Sequence, residues 1–129
     1  MGARTYNLAF ELSKSYGWAY GDTPTIVLTN RELPVDRSTV KFYSGDLNEF
    51  AEKQLKGKFK SVWVVGGASL AKDFLHAKLV NEIRVSVMPI ILGDGLLLFD
   101  HIGLEQKLHL KDVNAYRSGV VEMVYEVAK

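Results

Sequence analysis

The sequence predicts a single α/β domain over residues 1–129, a three-layer α/β/α arrangement around a mixed sheet, mostly parallel with antiparallel C-terminal strands. Three observations predict it. Helical and β-rich segments alternate through the first part of the chain. Ser61-Val-Trp-Val-Val65 is a nearly continuous apolar run, the signature of a parallel strand covered on both faces. After His76 the helical patterns stop and three strand patterns follow one another, as at an antiparallel edge.

Each element has its own warrant. Thr5 to Tyr16 reads as a helix: Leu8, Ala9 and Leu12 share one face, and Gly17 suits the C-terminal cap. Thr25-Ile-Val-Leu-Thr29 is β-rich and follows Pro24, which suits a strand start. Asn30 to Asp36 is turn-like, and Thr39 to Tyr43 reads as a short strand. Asp46 and Glu49 form a capping-box-like start ahead of the apolar stripe Leu47, Phe50, Ala51 and Leu55, and Gly57 ends that helix. Gly66 and Gly67 break the Ser61–Val65 strand, and Leu70, Phe74 and Leu75 then place a helix over Ala68 to His76. Glu82 to Met88 alternates as a strand, and Pro89 to Gly95 is an irregular joint. Glu105 to Asn114 and Gly119 to Val127 are the last two strands, separated by the turn-prone Tyr116-Arg-Ser.

Composition excludes several function classes. Hydrophobic residues at 47% and charged residues at 24% suit a packed domain rather than a disordered chain. Sixteen Lys and Arg against fifteen Asp and Glu leave no footprint for nucleic acid or an anionic membrane. With no cysteine there is no disulfide, thiolate nucleophile or zinc–thiolate site. His76, His101 and His109 are too scattered for ligand spacing, so no metal is expected. The longest apolar stretch, Val87 to Phe99, is broken by Pro89, Gly93, Asp94 and Gly95, too short to span a bilayer. No signal peptide pattern is visible near Met1, so the expected location is cytoplasmic.

Two features can carry chemistry. The first is the strand–Gly66-Gly67–helix junction with Ser69. A helix that starts at the C-terminal edge of a sheet offers free N–H groups and the positive end of its dipole, which suit a phosphate. The same two glycines can also serve only to make a tight turn. The full GxGxxG spacing of the standard dinucleotide fold is absent. The second is Met1-Gly-Ala-Arg-Thr-Tyr6 at the head of the first helix, where Arg4 can fork onto phosphate and Thr5 can cap or bind it. An ordinary cap beside a solvated arginine is its plain alternative.

Four segments together resemble a known family. Met1-Gly-Ala-Arg-Thr-Tyr6 resembles the MGRxTY/GRxTxE motif of dihydrofolate reductases and RibD C-terminal reductase domains. Val64-Val-Gly-Gly-Ala-Ser-Leu70 resembles their GGxxL/GGxxV strand–turn–helix. Val80 to Phe99 is similar to their long VDELRLxxxPVLLGxGxxLF segment, and Thr25 to Arg31 to the strand ending beside the adenosine phosphate. The matches fall in the family's order and lean towards the RibD-like subgroup.

The resemblance implies a dihydrofolate reductase-like sheet and NADPH as cofactor. It places Gly2, Ala3, Arg4 and Thr5 at the cofactor phosphates. Ala3 departs from the arginine commonest at its position, and Arg4 beside it can substitute. The resemblance puts Thr29, Asn30 and Arg31 near the adenosine ribose, Arg31 favouring the 2′-phosphate. Gly66, Gly67, Ala68, Ser69 and Leu70 line the pyrophosphate and nicotinamide side, with the Gly-Gly peptide often cis. It further implies hydride transfer to a small heterocyclic substrate, either a ribosylaminopyrimidine of riboflavin synthesis or a dihydrofolate-like pterin, and a homodimer joined through Pro89–Phe99. The alternatives are a non-catalytic dimeric nucleotide-binding remnant and a phosphate-ligand binder unrelated to redox. The family's first strand, catalytic loop and first helix have no counterpart ahead of Met1, so no catalytic residue is named. That first strand is expected between Ser61–Val65 and Glu82–Met88. Its loss predicts closure by a second copy or direct pairing of those two strands.

Overall fold

The computed structural model describes residues 1–129. Helix α1 (Ala3–Tyr16) starts the chain and ends at Gly17, whose φ of 81° suits glycine at a helix terminus. Strands β1 (Thr25–Leu28) and β2 (Val40–Tyr43) pair in parallel, with Thr25 opposite Val40 and Leu28 opposite Tyr43. Helix α2 (Leu47–Phe50) begins where its capping residue predicts: Asp46 Oδ1 accepts from the Glu49 N–H at 2.9 Å. It continues as a π-helical turn over Ala51–Leu55 before the chain reverses at Gly57. Replacing Asp46 with alanine leaves that N–H uncapped, with an expected loss of about 1 kcal/mol in urea unfolding. A loss under a few tenths would show the cap idle.

Helix α3 (Ala68–His76) matches the sequence expectation residue for residue. Strands β3 (Glu82–Val87), β4 (Leu108–Ala115) and β5 (Val121–Val127) form an antiparallel sheet in the order β3-β5-β4. A register shift between Leu110 and Asp112 leaves Lys111 as the extra residue of a bulge. Its Nζ meets Glu82 on β3 at 2.8 Å.

Two expectations are corrected. Ser61–Val65 is not a strand: it pairs with neither sheet, and none of its backbone N–H or C=O groups makes a backbone hydrogen bond. The sheet is accordingly not continuous but divided into β1-β2 and β3-β5-β4, with Ser61–Val65 between them. Nor is the segment covered on both faces, since Val62 and Trp63 are exposed and Val64 and Val65 only half-buried; a strand exists only when a neighbour meets its edge. Direct pairing of Ser61–Val65 with β3 does not occur either.

The core is small. Met1, Tyr6, Val27 and Val40 form its centre, with Phe10, Trp18, Tyr20, Leu33 and Val65 packed around it. Only ten of 129 residues are buried, so much apolar surface along the divided sheet lies open.

Candidate functional site

The site grows from the ends of α1, β1 and Ser61–Val65, which meet at one edge. Gly2 caps α1 in an extended conformation with no side chain on the helix terminus. Gly67 caps α3 in the same way. Neither helix has an acidic residue in its first turn, so both offer uncompensated N–H groups and positive dipole ends.

The two caps touch. The Gly2 N–H donates to the Gly66 carbonyl at 2.8 Å, and the Gly66-Gly67 peptide is cis. A Cβ at Gly67 would stand 3.7 Å from Thr5 Oγ1, and one at Gly2 would stand 3.8 Å from the Gly66 carbonyl oxygen. These glycines let two helix N-termini converge on one point, which a phosphate can approach without meeting a side chain. At the third corner, Gly2 bridges Leu28 in parallel, and the Leu28 N–H donates to Met1 at 2.9 Å. Thr29 follows at once, its Oγ1 accepting from the Arg31 N–H at 3.1 Å.

Of the residues expected from sequence, Gly2, Thr5, Gly66 and Gly67 therefore come together, with Thr29 beside them. Ala3, Arg4, Ala68 and Ser69 occupy the first turns of the two helices. Arg4 and Arg31 are exposed and form no ion pair, leaving two free guanidinium groups on the edge. Asn30 is exposed between Thr29 and Arg31. Leu70, also in the first turn of α3, lines an apolar cleft with Ile26 and Phe74.

A larger cleft, about 1320 Å³, runs from Gly66–Ala68 along Ser61–Val65 to β3, with Leu97, Leu98 and Phe99 at its rim. Leu97 and Leu98 are themselves exposed, and Ile91 and Leu96 of the same loop more fully so, at 96% and 101%. Two carboxylates line the cleft, and both are paired. Glu52 binds Lys56 at 3.0 Å. Glu82 accepts from Lys111 and Arg84, and these hydrogen bonds, Lys111 first, hold its carboxyl below the usual carboxylate range. Neither is a free proton donor. Sequence reasoning missed this cleft because its walls lie far apart in the chain.

The family model of the RibD C-terminal domain matches residues 11–122, which take in most of the elements just described. The chain belongs to the RibD C-terminal domain family.

Its relatives include the uncharacterized Bacillus subtilis proteins YyaP and YwjB. YyaP is 37% identical over 101 residues, 77% of this chain and 52% of YyaP. YwjB is 28% identical over 120 residues, 93% of this chain and 68% of YwjB. The chain thus spans about half the length of the first and two thirds of the second. A solved protein of Shewanella sp. PV-4 assigned to riboflavin biosynthesis superposes with a TM-score of 0.84 at 22% identity, covering all of this chain and 72% of that one. A pyrimidine reductase-like protein of Corynebacterium diphtheriae superposes at 0.60 and 19% identity, over 81% of this chain and 50% of that one. The fold is therefore reductase-like, and the family match takes in Thr25–Arg31, Val64–Leu70 and Val80–Phe99, whereas Met1–Tyr6 lies ahead of the matched residues. No helix is long and apolar enough to cross a membrane.

Proposed function

We propose that this domain binds NADPH across the edge formed by Gly2, Thr29 and Gly66-Gly67, and takes part in hydride transfer to a small heterocycle such as a ribosylaminopyrimidine or a pterin. The observation that carries the reading is the convergence of two uncapped helix N-termini, joined by the 2.8 Å Gly2–Gly66 hydrogen bond. Their free N–H groups suit a pyrophosphate, and neither first turn holds a carboxylate to oppose it. Arg4 supplies a cation at one helix start. Arg31 supplies another beside Thr29, where it can fork onto a 2′-phosphate. The nicotinamide supplies the redox chemistry when bound; the protein orients it and sets its electrostatic surroundings. The larger cleft opens beside Gly66–Ala68 and offers the substrate side. The exposed Ile91, Leu92 and Leu96 support assembly as a homodimer.

Calorimetric titration with NADPH tests the reading. The expected result is saturable binding, with NADH weaker; no binding at millimolar cofactor would remove the proposal. A second reading, nucleotide binding without catalysis, is favoured by the pairing of both carboxylates in the cleft. Nicotinamide absorbance under turnover with a pterin or ribosylaminopyrimidine separates the two readings.

A further inference from the structure

Three aspartates hold the backbone nitrogen of the next residue against their own carboxylate. The Gly95 N–H donates to Asp94 Oδ1 at 2.8 Å, the His101 N–H to Asp100 Oδ1 at 2.8 Å, and the Val113 N–H to Asp112 Oδ1 at 2.9 Å. The contact brings each nitrogen within reach of the carboxyl carbon that carries the oxygen. A bond between those two atoms closes a five-membered ring, through the main-chain carbonyl carbon, Cα and Cβ of the aspartate.

The three sites differ in what surrounds the nitrogen. Val113 is β-branched, and its methyl groups crowd its own N–H. Asp112 and Val113 also lie in β4, opposite Val124 and Met123, and the second Asp112 oxygen accepts from Asn114 Nδ2 at 3.2 Å. His101 carries a ring on its Cβ, and the chain beside it is tethered, because His76 Nε2 meets the Ile102 carbonyl at 2.6 Å. Gly95 has no side chain to shield its nitrogen or to oppose the rotation that carries it onto the carboxyl carbon.

The loop around Asp94 leaves that rotation free. No residue from Ile91 to Phe99 makes a backbone–backbone hydrogen bond. Gly93, Asp94 and Gly95 are all exposed, and Leu96 beside them is fully so. Glycine stands on both sides of Asp94, and exposed loop tips of small residues are where a chain opens most easily. Solvent water reaches the same atoms.

We propose that Asp94-Gly95 is a self-modification site, at which the chain converts aspartate to isoaspartate without an enzyme. In the first step the Gly95 nitrogen bonds to Asp94 Cγ and gives up its proton. The C–OH bond of the protonated carboxyl breaks, and one water leaves. The product is a cyclic imide. In the second step one water adds. Addition at Cγ restores aspartate. Addition at the main-chain carbonyl carbon breaks that carbon's bond to nitrogen, so the chain then runs through Cβ and Cγ and the free carboxyl stands on Cα. The water lost is regained, and no oxidant or reductant takes part. The product has one more main-chain carbon between Ile91-Leu92 and Leu96-Leu97, which resets the spacing of the apolar side chains on this loop. Its carboxyl is of the class that isoaspartyl methyltransferases methylate from S-adenosylmethionine. The inference is independent of the cofactor reading, because it needs neither the phosphate edge nor a bound nucleotide.

The test is incubation of the purified chain in warm, mildly acidic buffer, dilute enough that a second copy does not cover the loop. Peptide mapping with electron-transfer fragmentation counts isoaspartate at each aspartate. A purified isoaspartyl methyltransferase with labelled S-adenosylmethionine reads the same product independently. Isoaspartate should form at position 94 at least about tenfold faster than at Asp100 or Asp112, a difference of about 1.4 kcal/mol in barrier. The folded chain should be at least as fast as the free peptide Leu-Gly-Asp-Gly-Leu-Leu, since the loop holds the two atoms together and restrains neither. Gly95→Val should bring position 94 down to the level of Asp100. Gly95 has no positive φ, and a Cβ there stands at an ordinary 3.7 Å from Leu92 Cδ1, so the variant keeps the fold. Equal rates at the three aspartates would overturn the proposal, as would a Gly95→Val chain that isomerises as fast as the parent. A folded chain at least about tenfold slower than the free peptide overturns it too, because the loop would then protect the site.

Discussion

Tyr6→Ala is expected to destabilise the domain by about 3–5 kcal/mol, a large part of the roughly 5–15 kcal/mol that holds a domain together. Tyr6 has no exposed surface in a chain with only ten buried residues. Its ring packs edge-on against Phe42 at 5.6 Å and lies within about 6 Å of Phe10 and Trp18. Its hydroxyl donates to the Pro34 carbonyl at 2.6 Å, tying α1 to the loop after β1. Burial, with the Asp36 carboxylate adding to it, raises the phenol pKa above its usual range, so the hydroxyl stays a donor. Tyr6→Phe keeps the ring and loses only that bond, with an expected loss of about 1–3 kcal/mol. Urea unfolding followed by the fluorescence of Trp18 and Trp63 measures both. A loss under about 1 kcal/mol for the alanine variant would show that the small core does not depend on this ring.

Tyr6 also shows how much of the fold and site was legible in the sequence. It ends the Met1-Gly-Ala-Arg-Thr-Tyr6 motif, which reads as a phosphate cradle. The first residues of the motif do reach that edge, while its last is a core residue. Local signals were legible wherever local physics decides. The glycine break and the spacing of Leu70, Phe74 and Leu75 located α3, and Asp46 with Glu49 located the start of α2. Ser61–Val65 reads as a strand because its composition reports burial, whereas strand formation depends on partners remote in sequence. The division of the sheet follows from the same cause. For the site, the glycines at the two helix starts were readable, but their contact was not: a 2.8 Å bond joins residues more than sixty positions apart. Leu70 is placed at the site by its position in a motif, and its place in the lining of the apolar cleft against β1 could not be read from that motif.

Gly67→Val is expected to weaken NADPH binding at least about a hundredfold, close to 2.7 kcal/mol, while leaving the domain folded. The choice of glycine matters. Gly66 has a φ of 118°, where any side chain strains the backbone, so its replacement would confuse unfolding with loss of binding. Gly67 sits at φ −78° and ψ −162°, extended values that valine adopts readily. Its Cβ also fits, 3.7 Å from Thr5 Oγ1. What does not fit is the next shell: two methyl groups would stand between the starts of α1 and α3, in the space a pyrophosphate needs to reach both sets of N–H groups. Gly67→Ala, with no methyls beyond Cβ, should fall between valine and the parent chain. Thermal unfolding checks that all three fold alike, and calorimetry reads their affinities for NADPH. Arg31→Gln completes the comparison, because it should weaken NADPH several-fold and leave NADH unchanged if its guanidinium meets the 2′-phosphate. An unchanged affinity in the valine variant, with the parent binding, would move the cofactor away from the two converging helices.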